Sequence, residues 1–145
     1  HEWRDAGRDI TTMLADSDAA LLIGDPALAL SESPASANGL RTFDLAELWN
    51  QYTGLGFVFA MWMTRRDRVD IDFAAARDEG LARIEEIAAN YASDTGLTRD
   101  GMAAYLAGNI SYTVDDSMRS GMELFFKLAE KGGLIAVSKP IYFVS

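Results

Sequence analysis

The stretch Asp44-Leu-Ala-Glu-Leu-Trp-Asn-Gln-Tyr-Thr-Gly-Leu-Gly-Phe-Val-Phe-Ala-Met-Trp-Met63 holds two patterns in succession, and the change between them sets the expected fold class. Leu45, Leu48, Trp49 and Tyr52 stand at i, i+3, i+4 and i+7, the spacing of one helix face. Asp44 offers an N-cap oxygen and Glu47, three residues on, completes a capping-box pattern, so the spacing predicts a helix that ends at Thr53-Gly54. From Phe57 to Met63 the run is continuous, apolar and aromatic, far too short for a membrane helix and suited to a strand buried on both faces. Helix followed by buried strand predicts an α/β chain.

Working outward, Asp18-Ala-Ala-Leu-Leu-Ile-Gly-Asp25 is a second continuous apolar run and reads as a second buried strand. Asp25 suits a cap and Pro26 a first helical position, which predicts a brief helical turn to Leu30. Before it, Ile10, Met13 and Leu14 have helical spacing; after it, Ser31 to Gly39 is small and polar and reads as an exposed loop. Past Met63, Thr64-Arg-Arg-Asp-Arg68 returns the chain to solvent. Phe73, Leu81, Ile84, Ala88 and Tyr91 then predict one helix from Asp70 to Gly96. Thr98 caps a helix bearing Met102, Tyr105 and Leu106. Asp115 or Asp116 caps another, with Met118, Met122, Phe125 and Ala129 inward and Gly132-Gly133 as its stop. The tail from Leu134 to Val144, broken by Pro140, suits an edge strand or a docked terminal segment.

With 145 residues, the chain is one domain or part of a larger one. Thirteen Lys+Arg against 22 Asp+Glu give a net charge of -9, which disfavours nucleic acid and anionic membranes as partners. No Cys is present, and the single His stands at position 1. Thiolate chemistry, disulfides, a Ser-His-Asp triad and a His-based metal cluster are therefore excluded. The start, His1-Glu-Trp-Arg-Asp, has neither an initiator Met nor a signal-peptide layout, and is expected to be cut rather than begun.

Two places rise above scaffold. At Ile23-Gly24-Asp25-Pro26 an apolar run delivers a Gly and a carboxylate to a strand-to-helix corner, where open α/β sheets bind ligands. Asp25 there either moves a proton, if partial burial tunes it, or simply caps the helix. At Tyr52-Thr-Gly-Leu-Gly-Phe-Val-Phe59 a helix end meets aromatics through two glycines. That arrangement lines an apolar pocket, or else Phe57, Phe59 and Trp62 are core. Arg65, Arg66 and Arg68 offer anion capture, with a solvated loop as the plainer reading. Glu85 and Glu86 are adjacent on a helix and cannot face each other as an acid/base dyad, and Met118 and Met122 read as packing.

The segment Asp18 to Asp25 and the segment Phe43 to Ala60, in this order and spacing and followed by the helices ending near Met122 to Leu134, resemble the chorismate dehydratase family of the futalosine route to menaquinone. The dihydroxynaphthoate synthases of the same route are less similar, since their corresponding strand carries a catalytic His where this chain has Gly24. The resemblance implies the later, helix-rich part of a two-lobed fold of the periplasmic-binding-protein type (type II). Residues 1–55 would finish the second lobe, and residues 56–145 would supply a crossing strand and the C-terminal helices of the first. The family's N-terminal half would lie outside this chain. It also implies dehydration of chorismate to 3-[(1-carboxyvinyl)oxy]benzoate, with no metal or organic cofactor, in the cytoplasm. Asp25 would be the catalytic residue, and Gly24, Thr53, Gly54 and Phe57 would bind the substrate. The implied partners are the dicarboxylate substrate and either the missing half or a second copy of the chain. The fragment alone would be inactive. One departure is Gly56, where the family pattern has Pro, and its loss is expected to loosen the hinge. The competing reading is a non-catalytic solute-binding protein of the same fold, and a third is a helical interaction domain.

Overall fold

The computed structural model describes residues 2–31, 39–66 and 70–143, among which seven helices and no β ladder are found. The helices are α1 (Ile10–Leu14), α2 (Asp25–Ser31), α3 (Leu45–Thr53), α4 (Phe73–Ala82), α5 (Ile84–Thr95), α6 (Arg99–Gly108) and α7 (Asp116–Lys131). His1, Arg68 and most of the loop expected between Ser31 and Gly39 lie outside the described residues. None of the helices among the described residues is long and apolar enough to cross a membrane. The chain forms two compact units, each built from two stretches of sequence: His1–Arg41 with Arg83–Ala107, and Thr42–Ala82 with Gly108–Ser145.

In the first unit the core is Ala88 and Ala92 of α5, Leu97, and Met102 and Ala103 of α6, with Leu28, Ile84, Tyr105 and Leu106 packed against it. Two small side chains four residues apart on α5 share one helix face, which lets bulkier neighbours close over them. Gly96 stops α5 in a left-handed conformation, φ 77°, with its N–H on the Ala92 and Ser93 carbonyls. Thr98 then caps α6 as expected, its hydroxyl accepting from the Gly101 N–H at 3.1 Å. Arg99 reaches back to Glu85 at 3.0 Å on the exposed side. At the start of the unit, Asp9 caps α1 by accepting from the Thr12 N–H at 2.8 Å and the Thr12 hydroxyl at 2.6 Å. Arg4 meanwhile pairs with the Asp16 carboxylate and donates to the Ser17 hydroxyl at 2.7 Å.

The second unit is organised on α7. Asp115 caps it, accepting from the Met118 N–H at 2.7 Å, and Gly121, Met122 and Ala129 are its buried positions. After Gly132 the tail docks on the same helix. The Ser138 N–H donates to the Glu130 carboxylate at 3.2 Å, and the Arg119 guanidinium lies 4.0 Å from the Phe143 ring centroid. Of the two expectations for this tail, the docked segment holds and the edge strand does not.

Three further expectations are corrected. The helix predicted from Asp70 to Gly96 breaks at Arg83, φ -117° and ψ 21°, because its two parts pack in different units. Phe73 of α4 meets Trp62, ring centroids 4.7 Å apart, whereas Ile84 and Ala88 of α5 pack in the other core. The strands predicted over 18–25 and 57–63 are not formed, and the described residues of this α/β candidate are helix-rich. A strand exists only through its partner's ladder bonds, and nothing among the described residues offers one. Parts of both runs are consequently uncovered: Ile23 is 78% exposed, Trp62 69% and Met63 86%.

Candidate functional site

The first corner belongs to the first unit. Gly24 takes a positive φ of 71°, and its carbonyl accepts from the Ala27 and Leu28 N–H groups at 2.9 and 3.1 Å. Gly24 therefore stands where the cap does, and Asp25, expected as the cap, is the first helical residue. Asp25 is exposed, and among the described residues its carboxylate has no side-chain partner. A carboxylate in the first turn is favoured by the helix dipole. The partial burial required for a tuned proton carrier is not provided by the described residues around it.

The second corner belongs to the second unit and is built more tightly. Asp44 caps α3, accepting from Ala46 at 2.7 Å and Glu47 at 3.2 Å. Glu47 does not close the expected capping box; its carboxylate instead accepts from the Gln51 amide at 3.1 Å. At the other end, the Thr53 hydroxyl donates to the Trp49 carbonyl at 2.7 Å and accepts from the Leu55 N–H at 3.1 Å. One acceptor lone pair of that hydroxyl remains for a ligand. Gly54, φ 69°, closes α3 through its N–H on the Asn50 carbonyl, and among the described residues none beyond its chain neighbours lies within 4 Å of where a Cβ would stand.

Gly56, expected to loosen this corner, is instead held on both sides. Its N–H donates to the Ser117 hydroxyl at 3.0 Å, and its carbonyl accepts from the Trp49 indole at 3.2 Å. At the crossing Gly121 is needed for space, because what a side chain there would meet is backbone. A Cβ on Gly121 would run into the Gly56 carbonyl oxygen, whereas one on Gly56 would lie 2.7 Å from Met118 Cγ, part of a flexible side chain that can shift. Phe57 follows at the middle of an edge-to-face cluster, with centroids 5.5 Å from Trp49, 5.4 Å from Phe125 and 4.8 Å from Phe59.

Thr53, Gly54 and Phe57 thus meet in one corner, while Gly24 and Asp25 form a corner of the other unit. Met118 and the buried Met122 are packing residues, as read from the sequence. Arg65 and Arg66 are exposed. Among the described residues no group of three or more His, Asp or Glu side chains is placed to hold a metal. Sequence reasoning missed Ser117 and Gly121, although two small residues four apart near the start of a long helix signal a close approach. Among the described residues, Asp9 and Asp16 are carboxylates held low. Hydrogen bonds from the Thr12 hydroxyl and N–H hold Asp9 below the usual range, and the hydrogen bond and charge of Arg4 do the same for Asp16.

The menaquinone biosynthesis family matches residues 4–131. The chorismate dehydratase of Thermus thermophilus is 33% identical over 142 residues, a match covering 86% of this chain and 51% of that protein. The chain therefore spans about half the length of this curated relative. No solved structure matches the chain. Because the family match runs over most of its length, this chain belongs to the menaquinone biosynthesis family.

Proposed function

We propose that the chain is the later part of a chorismate dehydratase, a carbon–oxygen lyase that converts chorismate to 3-[(1-carboxyvinyl)oxy]benzoate and water. The observation that carries this reading is the 33% identity to the Thermus dehydratase. The reaction removes a proton from C3 of the ring and hydroxide from C4, and aromatisation drives it. No redox or metal step is needed to balance it. Catalysis reduces to holding a dianion in the reactive geometry and assisting the departing hydroxyl. Asp25, unpartnered at a helix start, orients or protonates that hydroxyl. Thr53, with one lone pair free, Gly54, with open space over its backbone, and Phe57, with its aromatic neighbours, shape the pocket, and Gly24 gives the ligand access to backbone.

The remainder of the protein completes a two-lobed cytoplasmic fold of the periplasmic-binding type, to which residues 1–55 and 56–145 contribute in turn. The fragment alone is inactive. The exposure of Asp25 favours one alternative, a non-catalytic solute-binding protein of the same fold. The test is incubation of the full-length protein with chorismate, followed by the ultraviolet spectrum of the aromatic product. Turnover is expected, and Asp25→Asn should lower it by about 10²-fold or more. Full turnover by Asp25→Asn removes Asp25 from the chemistry. Tight binding without product moves the assignment to solute capture.

A further inference from the structure

We propose that Ser117 and Gly121 of α7 are positioning residues for chorismate, acting through the Thr53-Gly-Leu-Gly-Phe57 corner; this rests on the dehydratase reading. Four residues apart, they lie on the same face of α7, and both meet the same residue of the corner. Ser117 accepts the Gly56 N–H at 3.0 Å, and Gly121, by lacking a Cβ, admits the Gly56 carbonyl into space that any other residue would fill. The carbonyl is then held by the Trp49 indole of α3 at 3.2 Å. The donor and the acceptor of one residue are thus fixed by two different helices. One residue later stands Phe57, and one residue earlier stands Leu55, whose N–H the Thr53 hydroxyl accepts, so holding the Gly56 backbone holds the start of the Phe57 ring's approach and the Leu55 end of the Thr53 contact. Neither Ser117 nor Gly121 needs to touch the substrate to do this.

The experiment compares full-length wild type, Ser117→Ala, Ser117→Thr and Gly121→Ala with chorismate. Ser117→Ala removes the acceptor of the Gly56 N–H and is expected to raise KM roughly two- to tenfold while kcat stays within about twofold, the scale of one hydrogen bond. Ser117→Thr keeps the hydroxyl and is expected to restore wild-type KM. Gly121→Ala must push Gly56 away and is expected to raise KM further; if it does not fold, the serine pair still decides. Wild-type KM in Ser117→Ala, or a KM that Ser117→Thr fails to restore, overturns the positioning role. A wild type that neither binds nor converts chorismate overturns the dehydratase reading and this role with it, a pattern distinct from an active wild type with indifferent serine variants.

Discussion

At the residue scale, the N-terminal segment is tied by two carboxylates. Asp9 and Asp16 are both held below the usual carboxylate range, the first by Thr12 and the second by Arg4. A carboxylate with a lowered folded-state value contributes stability that is present above its unfolded value, about 3.9, and is lost as pH falls through the folded one. Carboxyl NMR titration should therefore place both midpoints below about 3.9, with α1 fraying only once the pH drops through them. Midpoints at the ordinary value would show that these contacts do not persist in solution. Caps such as these were legible in the sequence at Asp44, Thr98 and Asp115, because a cap and its target lie within three residues. Ser117 was not legible, because the N–H it accepts belongs to Gly56, 61 residues away.

At the element scale, helices α3, α6 and α7 follow their predicted spans because helical hydrogen bonds are local and the apolar period reports them. The strands failed for the opposite reason: an apolar run states that it will be covered, not by what, and a ladder is a relation between two segments. The break between α4 and α5 was hidden because alanines fit any face, so the sequence period ran smoothly across Arg83. What separates α5 from α6 is better marked. Gly96 sits at φ 77°, where a Cβ meets no neighbour but the backbone itself disfavours one. Gly96→Ala should therefore cost about 1 kcal/mol or slightly more in urea denaturation, a strain effect without any clash. No loss of stability would show that the α5–α6 turn relaxes out of the left-handed conformation.

At the scale of the whole molecule, the run from Phe57 to Met63 begins packed, at Phe57, and ends exposed, at Trp62 and Met63. Met63 is 86% exposed, so Met63→Ser should change the stability of this chain by no more than about 0.5 kcal/mol. If the rest of the protein covers the run, the same substitution in the full-length protein should cost roughly 1.5–3 kcal/mol, the scale of burying one large apolar side chain. Equal effects in the two chain lengths would show that nothing covers Met63. The two compact units have their own consequence, since the chain passes from one to the other after Arg41, after Ala82 and after Ala107. During synthesis neither unit can be finished when its first stretch emerges, and each must wait while the other's residues are made. A single cut between Ala82 and Arg83 would likewise release no intact half, because each piece would carry part of both units and the two would have to find each other again.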